Sequence, residues 1–185
     1  MSAESHPDPA PLILTLALDP ESQERLDRLR EAHFPAERNY LRAHLTLFHH
    51  LPAADEGAIR ADLDATSAAH GPLSLRATEV RFFGRGVAYG FASPELVAWR
   101  GDLARRWEPW LNEQDRRPFR PHVTMQNKVP AERARALYDE LRALFTPFAI
   151  VGTGVLLWRY RGGPWEAAGS FPFAGAGETE RGSKE

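Results

Sequence analysis

The chain has 185 residues, 43% of them hydrophobic and 26% charged, with a formal net charge of −2 and no cysteine. This is the composition of an ordinary globular protein of one domain or two small lobes, and the missing sulfur excludes a disulfide framework, thiolate zinc sites, iron–sulfur clusters and a cysteine nucleophile. The near-neutral charge argues against a general nucleic-acid or membrane-surface binder and leaves chemistry to histidines, carboxylates, hydroxyls and arginines.

The opening MSAESHPDPAP has acidic residues and prolines where a secretory signal needs a basic start and an apolar run. No stretch approaches the roughly 18 apolar residues of a membrane span, so the expected setting is cytoplasmic, without a membrane partner. Residues 1–10 and 174–185 are small, polar and aperiodic, which predicts disordered ends around one working domain, residues 11–173.

Within that domain LILTLAL (12–18) predicts a strand, and Asp19-Pro20 opens a helix with Leu26 and Leu29 as its buried stripe. A second strand is predicted over RAHLTLFHHL (42–51), then a helix over 55–69 ending at Gly71-Pro72. LSLRATEVRFF (73–83) and VAYGFA (87–92) read as a hairpin about Gly84-Arg85-Gly86. Ser93 and Pro94 suit N-cap and first position of a helix that buries Leu96, Trp99, Leu103 and Trp107 and closes near Leu111. PHVTMQNKV (121–129) is the next strand, and a helix from Pro130 presents Ala134, Leu137, Leu141 and Leu144. Residues 148–173 read as two or three strands with glycine turns. The pattern is α+β in two similar halves.

The halves match at His44-Leu45-Thr46-Leu47 and His122-Val123-Thr124-Met125, 78 residues apart and both on predicted strands. Strand alternation puts His44 and Thr46 on one face and Leu45 and Leu47 on the other, and likewise in the second motif. If the two strands lie side by side, two imidazoles and two hydroxyls converge. One imidazole then takes a proton from an attacking oxygen while the other gives one to a departing oxygen, and the hydroxyls donate to non-bridging phosphate oxygens. That is acid–base phosphodiester chemistry without a metal. A three-histidine metal site of His44, His50 and His122 lacks a supporting carboxylate pair or His-x-x-x-His spacing and leaves the threonines idle. His6, His33 and His70, without such context, read as structural or exposed.

The two motifs resemble the signature of the two-histidine phosphoesterase superfamily, the RNA 2′,3′-cyclic phosphodiesterases often labelled 2′-5′ RNA ligases. The resemblance covers nearly all of residues 11–173 and includes Pro121 before the second motif. It implies a bilobal α+β fold in which two pseudo-symmetric, antiparallel-rich sheets flank a central cleft with helices outside. It also implies a catalytic quartet of His44, Thr46, His122 and Thr124, with the first histidine protonating the departing ribose oxygen and the second activating water. The implied activity is metal-independent, cofactor-free hydrolysis of 2′,3′-cyclic phosphates on RNA ends or small nucleotides to 2′-phosphates, together with a reversible 2′-5′ RNA ligase activity. No obligate protein partner is implied, and a monomer is expected. The alternative from another class is a noncatalytic RNA- or nucleotide-phosphate-binding module in which the histidines only contact phosphate.

Further substrate contacts are sought around the quartet. The family often places an Arg or Lys shortly after the second motif, and by alternation Gln126 and Lys128 share the face of His122 and Thr124. Arg120 lies two residues before His122, Arg85 in the hairpin turn and Arg159 beside Trp158 and Tyr160. RRPFRPHVTMQNK (116–128) carries Arg116, Arg117, Arg120 and Lys128 without an acidic residue, a basic stretch that favours an anionic substrate. Phe48, Tyr89, Trp158 and Tyr160 are candidates to stack a base, although aromatics on strands are more often core.

Overall fold

The computed structural model describes residues 10–175. The expected disordered ends lie outside the described residues except at Ala10, Ala174 and Gly175; Ala174 donates its N–H to the His70 carbonyl at 2.7 Å. In chain order the elements are β1 (Leu12–Leu18), α1 (Pro20–His33), β2 (Thr46–Leu51), α2 (Glu56–Ala68), β3 (Leu73–Phe82), β4 (Val87–Ala92), α3 (Pro94–Arg106), α4 (Glu113–Arg116), β5 (His122–Gln126), α5 (Ala131–Ala143), β6 (Ala149–Arg159) and β7 (Glu166–Pro172). Three short 3₁₀ turns punctuate them among the described residues. Among the described residues no helix is long and apolar enough to cross a membrane.

The local signals act as their chemistry requires. Asp19 caps α1 by accepting from the Ser22 N–H at 2.8 Å, and Ser93 caps α3 through the Leu96 N–H. Leu96, Trp99, Leu103 and Trp107 are buried along one stripe. Two expected bounds differ. α3 stops at Arg106 and a 3₁₀ turn over Glu108–Trp110 carries the chain onward. Leu144 lies past the last turn of α5 and is 74% exposed, so it does not belong to that helix's buried face.

All strand pairs are antiparallel, in one sheet with the order β2-β1-β6-β3-β4-β5 and β7 on the free side of β6. The two halves are joined by β6: its first residues pair with β3 and the remainder with β1 and β7. The motif strands β2 and β5 are therefore the two ends of the path rather than neighbours. They meet across a cleft, which corrects the side-by-side arrangement.

Each half also lends a helix to the other. α1, which follows β1, packs against β5, and α3, which follows β4, lays Trp107 against Phe48 of β2 with ring centroids 5.1 Å apart. Buried arginines complete the exchange: Arg30 of α1 donates to the Thr124 carbonyl at 2.8 Å and Arg100 of α3 to the Leu47 carbonyl at 3.2 Å. Their guanidinium groups lie over Phe34 and Phe48 at 3.7 and 4.3 Å, a stacked arrangement that a lysine cannot reproduce. Burial lowers the proton affinity of both, that of Arg30 to about 10, which leaves it cationic at neutral pH.

Candidate active site

Each motif strand carries one extra residue at the same place. Thr15 pairs with Thr46 but Leu14 with Phe48, so Leu47 is inserted; Ala88 pairs with Thr124 but Val87 with Gln126, so Met125 is inserted. A β-bulge of this kind reverses the alternation beyond it. Leu47 and Phe48 are consecutively buried, as are Met125 and Gln126. The next residues, His49 and Asn127, then return to the wall that His44, Thr46, His122 and Thr124 occupy. The sequence signal for this was present: two successive bulky residues where strict alternation asks for one.

The six residues line a cavity of about 260 Å³ together with Ile13 and Trp165. His44 precedes β2 rather than lying within it. Its approach is fixed by α1, where Asp27 accepts from the Ala43 N–H at 2.7 Å and Gln23 donates to the Ala43 carbonyl at 2.8 Å. The ladder resumes where Leu16 donates to Leu45 O.

The two motif histidines are held identically. His44 Nδ1 lies 2.8 Å from the Arg42 carbonyl and His122 Nδ1 2.9 Å from the Arg120 carbonyl, two residues upstream in each case. A carbonyl oxygen only accepts, so Nδ1 carries the proton in the neutral ring and Nε2 is left for a ligand. An aromatic ring covers each: Trp165 is 4.8 Å from His44 and Phe83 5.5 Å from His122. Burial pushes the His44 imidazole down to about 4, against the Arg42 hydrogen bond that favours its charged form and with Arg30 and His122 adding to the fall. Burial also lowers His122, with Arg81 adding to the fall.

A second cavity of about 540 Å³ opens from the first across His44, Thr124, Asn127 and Trp165. Its wall includes Arg30, Arg38 and Lys128, with Tyr40 and Tyr160 at the rim, 72% and 42% exposed. Lys128 sits at φ 57° with its N–H on Asn127 Oδ1, which turns the chain sharply after β5.

The further candidates separate accordingly. Lys128 and Tyr160 stand on the outer cavity, and Trp158 backs Trp165 with rings 6.1 Å apart while donating to Thr15 Oγ1. Phe48 and Tyr89 are core residues, and Gln126, turned inward by the bulge, donates to the His33 carbonyl. Arg120 and Arg85 are exposed and absent from the lining of either cavity; Arg159 is paired with Glu56. The basic stretch before His122 is also largely spent elsewhere, since Arg116 pairs with Glu108 and Arg117 with Glu113. The positive charge beside the cleft comes instead from Arg30, Arg38 and Lys128. Sequence reasoning missed Arg30, Trp165, His49, Asn127 and the buried Asp115 behind His49. Among the described residues no group of three or more His, Asp or Glu side chains is arranged to hold a metal ion.

A two-ended sheet closing on a cleft with matched His-x-Thr strands defines a two-histidine phosphoesterase-type fold. Residues 18–164 match the model of the 2′-5′ RNA ligase superfamily, and the chain belongs to that family. The structure is similar to that of TT0787 of Thermus thermophilus, with a TM-score of 0.64 at 18% identity over 88% of this chain and 97% of that one. It is similar also to E. coli LigT complexed with NADP+, with a TM-score of 0.58 at 21% identity over 90% and 99%. LigT complexed with 3′-AMP gives 0.55 at 20% identity over the same shares. A search of curated protein sequences found no match.

Proposed function

We propose that the protein is a cyclic phosphodiesterase that opens 2′,3′-cyclic phosphates of RNA ends or small nucleotides to 2′-phosphates. The observation that carries this reading is the pair of imidazoles on one cavity, each with Nδ1 tied to a carbonyl. His122 Nε2 takes a proton from water as its oxygen attacks phosphorus, and His44, protonated, delivers its Nε2 proton to O3′ as the P–O3′ bond breaks. The product is a 2′-phosphate and a free 3′-hydroxyl. Thr46 and Thr124 donate to the non-bridging oxygens, where charge accumulates. With a 5′-hydroxyl in place of water the same groups carry out a transesterification: the hydroxyl oxygen bonds to phosphorus, its proton goes to His122, O3′ leaves with the proton from His44, and the product is a 2′-5′ linkage.

The substrate class follows from the surroundings. Arg30, Arg38 and Lys128 favour an anion, and Tyr40, Tyr160 and Trp165 offer faces for a base. LigT, similar in fold, has been crystallised with 3′-AMP, ATP and phosphate. The test is incubation with a 2′,3′-cyclic nucleotide and a cyclic-ended oligonucleotide in excess EDTA. Turnover by the wild type is expected, with His44→Ala and His122→Ala each slower by about 10²–10⁴-fold. No turnover on any cyclic phosphate, or unchanged turnover in either variant, overturns the reading; phosphate binding without turnover points to a binding module.

A further inference from the structure

We infer that His49, held by Asp115, is a third imidazole of the cavity and donates an Nε2–H hydrogen bond to a non-bridging oxygen of the substrate phosphate. As a statement about phosphate in this cavity it deepens the reading above and rests on it for the identity of the substrate.

The bulge at Leu47-Phe48 turns His49 onto the wall of His44 and Thr46, facing His122 and Thr124. Its Nδ1 lies 2.9 Å from Asp115 Oδ1. Asp115 is 1% exposed and its oxygens also accept the backbone N–H groups of His49 and His50 at 2.9–3.0 Å. Burial alone would raise this carboxyl, yet the hydrogen bonds from His49 and His50 hold it below the ordinary carboxylate range. It is therefore an anion, an acceptor only, and Nδ1 of His49 is the donor. Asn112 fixes the carboxylate's own backbone, accepting the Asp115 N–H at 2.8 Å as the cap of α4, and Arg100 donates to the Asp115 carbonyl.

With Nδ1–H committed to Asp115, a neutral His49 offers the cavity only an acceptor, which a phosphate oxygen cannot use. An imidazolium offers a second N–H, and its charge is balanced by Asp115 behind and by the phosphate in front. The charged and titratable groups about it are Asp115 and Arg100 behind, and His44 and His122 across the cavity. The other two histidines have only carbonyls behind them, so His49 is the imidazole of the three whose Nδ1 is held by a carboxylate. The corresponding place after the second motif holds Asn127, whose Oδ1 is taken by the Lys128 N–H. A carboxylate-backed imidazole on the first-motif side thus stands opposite an amide on the second, a difference that orients a phosphate between otherwise matched halves.

The test uses inorganic phosphate as the probe on the full chain. In ¹⁵N-histidine-labelled wild type at pH 7, phosphate is expected to bring both His49 ring nitrogens to imidazolium shifts. His49→Gln, checked by circular dichroism to be folded, is expected to weaken phosphate binding about tenfold or more and to raise KM for a cyclic nucleotide more than it lowers kcat. His50→Gln, on the exposed outward side of β2, should leave both unaltered. Failure of the wild type to bind phosphate, His49 nitrogens that stay in the neutral pattern at saturation, or a folded His49→Gln that binds like wild type overturns the inference. His49-dependent phosphate binding in a protein inert toward cyclic phosphates refutes the proposed activity and leaves the inference standing. Turnover with His49-independent binding does the reverse.

Discussion

Acidification should unfold the wild type more steeply than a protein lacking His44. The folded chain holds this imidazole at about 4, against 6.5 for an unburied one. The unfolded chain therefore takes up a proton near pH 6.5 that the folded chain refuses until near pH 4. Above pH 6.5 the group is neutral in both states and contributes nothing to the pH dependence; below it, native stability falls until the folded ring also protonates. A tenfold change in proton affinity is worth about 1.4 kcal/mol, so the loss between these limits amounts to about 3 kcal/mol. The assay is urea unfolding of wild type and His44→Gln at pH 7, 6, 5 and 4. The carboxylates held low in the fold, Asp115 and Glu56, also destabilise both proteins as pH falls, so the informative quantity is the difference between the two curves. That difference should shift by about 3 kcal/mol in favour of the variant between pH 7 and 4. Parallel curves would mean that Trp165 and the cleft do not desolvate the imidazole, and the reasoning would fail.

The same depression should show in the proposed turnover. Because both motif imidazoles are held low in the free protein, kcat/KM should follow a bell centred below pH 6.5, and the kcat bell should sit higher because bound phosphate favours the charged ring; a flat profile or a kcat/KM optimum above pH 7 contradicts this. Thr46→Val and Thr124→Val keep the side-chain shape and remove the hydroxyl, so kcat on a cyclic nucleotide should drop on the order of 10²-fold each with little change in stability. Gly86→Ala would place a Cβ 2.5 Å from the Gln126 carbonyl oxygen, at the bulge of β5. The displaced strand should cost about 1–3 kcal/mol in urea unfolding, and turnover should fall with it.

Much of this architecture was legible because local rules decided it. Asp19-Pro20, Ser93-Pro94 and the leucine and tryptophan stripes specify helices whatever lies around them, and Gly84, at φ 78°, marks the hairpin turn where left-handed backbone is needed. That His44, Thr46, His122 and Thr124 belong to one cavity was legible because duplication made it so. The rest of the site was not, for a definable reason. A bulge moves every later side chain to the opposite face, so simple alternation puts Gln126 and His50 with the motif histidines, whereas the ladder puts Asn127 and His49 there. Nothing in the sequence singles out Arg30, because its acceptor, Thr124 O, lies 94 residues away. Trp165 sat in a glycine-rich turn with nothing local to aim it at His44.

The sequence by itself determined the elements, the two His-x-Thr strands and the family they belong to, since these depend on contacts within a turn or two of each residue. The tertiary structure decided which side chains share the cleft. That the two motifs sit at opposite ends of one sheet, that each half's helix supports the other half's strand, and that a buried carboxylate stands behind His49 all depend on pairings between distant segments. Periodicity carries no record of those pairings, because it describes one strand's faces and never which face of which other element completes them.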